Sequence, residues 1–354
     1  MRRSPLAPFR NTTGLARWIL LAGALITVVF LIMALFAPWL APYGFDQQKV
    51  GGVKFPKLAP PGGDHLFGTN DQFYDVLSRV IWGARTAVEV VSISVVLSVL
   101  IGVPLGLISG FVGRWVDRML VFLMDALYAF PSLLLAIVFS FLLRGPLGGG
   151  VVAAALSLTV IYIPQYFRVV RNTTVSAREA TYIEAARAIG AKNGTIMGRY
   201  LFGNVIQSVP VIGTLNAADA IGTLAALGFL GLGIQPNEAS EWGYDLSRAL
   251  DDAASGIWWT TFFPGMAIVL LITGLTLVGE GLNETVNPSL RKRRLMPVEM
   301  PANEPTSYLA EGDAAALGAG APNFRRRDDE PERHHGDERH RRPAEPGARE
   351  DESR

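Results

Sequence analysis

Glu184-Ala185-Ala186-Arg187-Ala188-Ile189-Gly190 is a charged, alanine-rich stretch with long apolar runs on either side. Its residues favour a helix, and a polar helix placed between two hydrophobic segments has no lipid to face. It is free to be gripped by another protein. Working outward from it decides the fold, because the flanking runs then read as membrane spans and the stretch as a loop helix between them.

The composition agrees. Of 354 residues 50% are hydrophobic and only 18% charged, 37 are glycine, and the mean hydropathy is +0.29. That is too apolar for an ordinary soluble chain and points to a polytopic membrane protein. Measured against the roughly 20 apolar residues that cross about 30 Å of hydrocarbon, six spans are expected: Trp18 to Leu40, Thr86 to Gly113, Met119 to Leu143, Gly148 to Phe167, Asn204 to Ile234 and Trp258 to Leu282. The fold class is all-α, a membrane helix bundle with about six transmembrane helices. The expected organisation is a tail at 1–17, a first span and outer loop at 18–83, a five-span core at 84–286 with the polar loop at 172–203, and a second tail at 287–354. The first run follows Arg2, Arg3, Arg10 and Arg17, as a signal peptide would, but it is too long for a signal core and no small-x-small cleavage site follows. With 0 cysteines there is no disulfide and no thiolate metal site. The net charge of +1 averages an apolar region with basic clusters and a mixed-charge tail, and so by itself says nothing about nucleic acid, which is not among the expected partners.

Short loops rich in Lys and Arg mark the cytosolic side. Arg114, Arg118, Arg168, Arg171, Arg178, Arg187, Lys192, Arg199 and the run Arg291 to Arg294 join the amino-terminal arginines on one side, and outnumber Lys49, Lys54, Lys57, Arg79, Arg85, Arg144 and Arg248 on the other. Both termini are expected in the cytosol. Within the polar loop, Ser176 with Glu179 fits a capping box, Ala180 to Ile189 is rich in helix formers, Gly190 sits where a left-handed cap belongs, and Asn193 would cap a second helix. The same residues also suit an amphipathic connector lying on anionic headgroups.

The loop resembles a known family signature, Glu-Ala-Ala, three residues, Gly, at Glu184, Ala185, Ala186 and Gly190. Collinear matches are His65, Gly68-Thr69, Asp75 to Arg79, Gly83-Ala84-Arg85, Ala129-Phe130-Pro131, Phe229 to Gly233, Trp242-Gly243 and Phe263-Pro264-Gly265. Together they resemble the inner-membrane permease subunits of binding-protein-dependent ABC importers, in the dipeptide, oligopeptide and nickel branch, and among these the C-type second subunit with its added first span. The resemblance implies the type I ABC importer permease fold, the bacterial inner membrane, and a heterodimer with a homologous permease subunit. It also implies two ATP-binding cassette subunits and an extracytoplasmic solute-binding protein. The chain has no Gly-x-x-x-x-Gly-Lys-Ser/Thr phosphate loop, so ATP is expected to be used by the partner ATPase, with no cofactor or metal bound here and no enzyme activity. The loop helix is expected to dock on that ATPase, with small Ala185 and Ala186 allowing close approach. Peptide import is the expected function, with nickel import the alternative within the family and an ion-gradient transporter or channel the alternative outside it. Departures from the family pattern are Tyr200-Leu201-Phe202-Gly203 in place of an Ile-x-Leu-Pro ending, Phe73-Tyr74-Asp75 in place of Gly-Arg-Asp, and Leu224 where a glutamate is often found.

Two carboxylates fall within spans, where charge is costly. Asp125, near Arg118, reads as a structural charge, whereas Asp219 lies deeper and is a possible substrate-path residue facing a cationic group or else a structural one. Glu89 and Glu280 lie near span ends and read as solvated. Gly222 to Gly233 and Gly148 to Ala155 would let helices approach closely, and Pro131, Pro164 and Pro210 would kink or break spans. Tyr43 to Arg85 and Gln235 to Ile257 form the outer loops, with a short interfacial helix expected at Asp71 to Ile81 and Trp82 as its anchor. Trp242 and Gly243 would serve either docking or burial. Val298 to Arg354 reads as a disordered tail in which His334, His335 and His340 are poor candidates for a metal site.

Overall fold

Inside hydrocarbon only a helix or a closed barrel satisfies every backbone N–H and C=O, and the apolar runs of this chain fold as helices. The computed structural model describes residues 15–286. Both expected tails beyond that range lie outside the described residues, and with them Arg2, Arg3, Arg10, the basic run Arg291 to Arg294 and His334, His335 and His340. The helices are α1 (Leu15–Leu35), the one-turn α2 (Ala37–Leu40), α3 (Val76–Val112), α4 (Arg114–Tyr128), α5 (Ser132–Leu147), α6 (Gly150–Arg178), α7 (Thr181–Ala188), α8 (Asn193–Phe229), α9 (Trp242–Arg248), α10 (Leu250–Ala254) and α11 (Trp259–Val286). Between α2 and α3, β1 (Lys49–Val50) pairs antiparallel with β2 (Val53–Lys54), Lys49 opposite Lys54.

The helices α1, α3, α6, α8 and α11 are each long and apolar enough to cross a membrane, and α4 with α5 provide a sixth span only as a bent pair. The continuous span expected at Met119 to Leu143 is therefore broken. Its two halves meet at 93°, across Ala129-Phe130-Pro131. Pro131 has no N–H for a helix interior and instead stands at the N-cap of α5, where its carbonyl accepts from the Leu135 N–H at 3.0 Å. Pro164, by contrast, sits inside an unbroken α6.

The helix α3 begins ten residues before the expected Thr86, so the separate interfacial helix at Asp71 to Ile81 does not exist. Asp75 caps it, accepting from the Ser78 N–H at 2.8 Å, and Trp82 donates its indole N–H to Tyr43 O at 3.0 Å instead of anchoring freely. At 1.5 Å per residue its 37 residues reach roughly 55 Å, so the two ends of α3 mark opposite ends of the bundle.

Close packing comes from glycines inside and outside the runs singled out from the sequence: within the Gly222 to Gly233 run, an added Cβ at Gly228 would meet the Glu241 carboxylate and, at 2.9 Å, the Tyr244 N. Gly102, Gly106 and Gly110 line one stripe of α3 against α6, where an added Cβ would sit 2.8 Å from Ile163 O, 2.6 Å from Phe167 O and 2.7 Å from Thr174 Cβ. Small residues at four-residue spacing let two membrane helices touch backbone to backbone. Ser98 adds a cross-helix hydrogen bond to Thr159 O at 3.0 Å.

Candidate functional site

Arg178 closes α6 and donates Nη1 to Gly110 O, at the C-terminal end of α3, at 2.9 Å. After Glu179 and Ala180 the chain re-enters helix as α7. The expected capping box does not form. Ser176 is still inside α6, where its hydroxyl donates back to Asn172 O at 3.2 Å, a habit of serine within helices, and Glu179 pairs with Arg178. Ala180, with extended backbone and no side-chain bond, stands at the N-cap.

The other end of α7 forms as expected. Gly190 has φ +82, its N–H donates to Arg187 O at 2.9 Å, and the Ala191 N–H donates to Ala186 O at 3.0 Å. These are the two bonds of a Schellman cap. An added Cβ at Gly190 would meet nothing within 4 Å, so the backbone angle and not space calls for glycine. Ile183 and Ala186 are buried in the same cluster as Ile196 and Leu201 at the start of α8. Glu184, Ala185, Arg187 and Ala188 are exposed, and Ile189 is 81% exposed. The signature therefore divides: Glu184 and Ala185 face outward, Ala186 faces the chain's own core, and Gly190 stops the helix.

The junction after α7 is irregular. Lys192 takes the N-cap expected for Asn193, which is instead the first residue of α8. A π-helical turn follows at Ile196–Leu201, then α-helix at Phe202–Val205 and a 3-10 turn at Ile206–Ser208. Gly194, Gly198 and Gly203 are open, with nothing within 4 Å of an added Cβ. Pro210 cannot donate, and the Val209 N–H bonds Ile206 O in the 3-10 manner just before it. On the neighbouring surface two ion pairs fasten α4 to α6. Arg171 holds Asp117, with Nη2 at 2.7 Å, and Arg168 holds Asp125 at 2.9 Å. Asp125 thus pairs across helices and not with Arg118, and Asp117 was missed because its partner lies 54 positions away.

Asp219 lies exposed on α8 while its neighbours Ala218 and Ala220 are buried. Its Oδ2 accepts from the buried Tyr162 hydroxyl at 2.8 Å. It lines two adjoining clefts, one of about 340 Å³ with Gln165 and Ser132, and one of about 450 Å³ with Thr223 and Thr276. Leu224 is buried, at 2% exposure, whereas Asp219 is exposed.

The end of the bundle far from α7 holds a different site, which the sequence motifs hid. Arg79 is 2% exposed and grips Asp245 through both Nε and Nη2, the latter at 2.7 Å, while Nη1 donates to Phe45 O at 3.1 Å. Ser240 donates to Arg79 O at 2.7 Å and Trp242 to Val80 O at 3.1 Å. Glu241 caps α9 by accepting from the Gly243 and Tyr244 N–H groups, and burial pushes its carboxyl up to about 8 against those two bonds. Gly83 sits under the Trp242 indole and Gly243 against Ala225 O, both too close for a Cβ. His65 and Asp75 meet at 2.9 Å, and Phe67 stacks on Phe263 at 3.8 Å. Trp242 and Gly243 are buried parts of this polar knot and not exposed docking groups.

Most of the matched motifs thus close into one knot at one end and one capped helix at the other, joined by α3 and α6, while Ala129-Phe130-Pro131 marks the break between α4 and α5. A family model described as the binding-protein-dependent transport system inner membrane component matches residues 102–292, and one described as the N-terminal TM domain of oligopeptide transport permease C matches residues 16–61. The chain belongs to this family of transport-system inner membrane components. It is 39% identical over 272 residues to the dipeptide transport system permease protein of Escherichia coli K12, covering 76% of this chain and 89% of that one. The protein of the same description from Alkalihalophilus pseudofirmus is 34% identical over 271 residues, 77% of this chain and 86% of its own length. The glutathione transport system permease protein of Escherichia coli O6:K15:H31 is 33% identical over 275 residues, with the same two coverages. As a family member the chain is a multi-pass component of the inner membrane, and its long apolar helices are the spans.

Proposed function

We propose that this chain is the permease subunit of an ATP-driven, binding-protein-dependent importer of dipeptides or oligopeptides. It works in a heterodimer with a homologous permease, receives cargo from an extracytoplasmic solute-binding protein, and is driven by two ATP-binding cassette subunits that hold the ATP. The observation that carries this reading is α7, a short helix with a Schellman cap, whose Glu184, Ala185 and Ile189 stand exposed beyond the spans. The excess of Lys and Arg in the loops on the α7 side supports a cytosolic α7 and cytosolic termini, with the Arg79–Asp245 knot outside.

In this arrangement Ala186 and Ile183 seat α7 on the start of α8, while Glu184, Ala185 and Ile189 meet the ATPase. Moving a transporter from 1:99 to 99:1 between inward-open and outward-open states takes about 5.5 kcal/mol of differential interaction. A capped helix seated on its own core passes on such a bias, whereas a loose loop dissipates it. The α8 junction, with its π and 3-10 turns, is where the movement is taken up.

The test is uptake of a labelled peptide pool in cells with and without the chain, with unlabelled peptide or nickel as competitor, and with Gly190→Leu as coupling variant. Expected is uptake that needs the chain, is competed by peptide alone, and is lost in Gly190→Leu although that variant inserts and assembles. Lost nickel accumulation with unchanged peptide uptake would overturn the cargo, and normal uptake by Gly190→Leu would overturn the coupling role.

A further inference from the structure

We infer that Asp219 is a transit-site ligand for the free amino-terminal ammonium of the passing peptide, a proposal that rests on the peptide-import reading above. A carboxylate at the depth of a membrane span is held there at a cost and needs a cation or hydrogen-bond donors. Among the described residues Asp219 has one polar partner, the Tyr162 hydroxyl on Oδ2 at 2.8 Å, and no cationic one. Oδ1 accepts no hydrogen bond from the described residues, and Asp219 is exposed where it lines the clefts, so acceptor capacity is left for a ligand there.

The surroundings select the chemistry of the missing cation. Asp219 is shared by both clefts, so cargo moving from one to the other passes the carboxylate. Around it the clefts present the neutral groups Gln165, Ser132, Thr223 and Thr276, together with apolar and aromatic side chains. Neutral donors and acceptors suit peptide amides, whereas one carboxylate suits one ammonium. The lining has no imidazole or thiolate, the ligands that favour a divalent transition metal such as nickel. Tyr162 is fully buried, on α6, and its hydroxyl fixes Oδ2 of the exposed Asp219. The site so described recognises the one positive charge that every unmodified peptide carries, whatever its side chains, which fits a permease that leaves side-chain choice to a capture protein.

The experiment is a cycle between residue and cargo in the complete transporter reconstituted with its capture protein. Maximal import rates are measured for a dipeptide and for its lactoyl analogue, in which a hydroxyl replaces the amine, in the wild type and in Asp219→Asn. Capture-protein selectivity is common to both transporters and cancels in the ratio of ratios. A tenfold or larger preference for the amine in the wild type relative to Asp219→Asn is expected, with Asp219→Glu close to wild type. A ratio of ratios within twofold of one overturns the proposal. Failure of the complex to assemble in Asp219→Asn but not in Asp219→Glu also overturns it, by assigning the carboxylate to a cation of the neighbouring subunit. Absence of dipeptide import by the wild type is a separate failure, that of the peptide-import reading itself.

Discussion

The two ends of the bundle solve opposite problems. At the knot end, residues from five parts of the chain lock together through a buried bidentate ion pair, four further cross-element hydrogen bonds and glycines pressed against an indole and a carbonyl. At the α7 end, eight residues of helix rest on two buried side chains, Ile183 and Ala186, and are otherwise exposed. Buried charge tolerates no loosening, because either partner left alone is an unpaired ion in a poor solvent. A helix proposed to engage another protein has to keep its surface free. Rigidity is concentrated where the chain closes on itself, and accessibility where the matched signature lies.

The difference breaks most sharply at Arg79. Arg79→Ala strands Asp245 and should destabilise the assembled complex by about 3 to 5 kcal/mol, read as a lowered melting temperature. Whatever complex survives should import the same amount of cargo per ATP as the wild type. A change in that ratio would mean that the knot takes part in coupling.

The next effect concerns pH. The Glu241 carboxyl is pushed from 4.5 to about 8, by burial first and by neighbouring Asp245 as a lesser cause, so the folded protein favours its neutral form. A raised folded-state value contributes stability in full below 4.5 and loses it as pH climbs through about 8. The melting temperature should therefore fall between pH 5 and pH 9, and Glu241→Gln should remove part of that fall, on the order of 1 kcal/mol. An unaltered pH profile in the variant would show that the two backbone N–H groups keep Glu241 ionised despite its burial.

The smallest effect on stability belongs to the other end. Ile189→Ser, at an exposed position, should change stability by no more than about 0.5 kcal/mol, yet raise ATP use per peptide imported severalfold. Unchanged coupling would remove Ile189 from the proposed contact.

How legible all this was in the sequence depended on the range of the interaction. Gly190 and its cap were readable because a Schellman motif is made within six residues, and the glycine run after Phe229 ends α8 in the same way, with Gly231 at φ +72 and the Leu232 N–H on Leu227 O. The capping box at Ser176 misled because the local pattern competes with a helix that tertiary contacts extend through it, Arg178 reaching Gly110 on α3. The partner of Asp125 was misjudged for the same reason. Arg118 is near in sequence, but it is Arg168, on the helix packed alongside, whose guanidinium comes within reach.

By itself the sequence determined the class of the protein, the approximate places of its spans and the existence of a capped polar helix between two of them. Apolar run length, charge asymmetry and turn chemistry act over a few residues or along one segment, and need no partner to be read. Only the tertiary structure decided that His65, Asp75, Arg79, Trp242 and Asp245 form one buried knot, that α4 and α5 break at 93°, and that Asp219 lines two clefts with its Oδ2 held by Tyr162. Those outcomes depend on which distant side chains meet where water is excluded, and there each polar group takes the partner that packing brings to it.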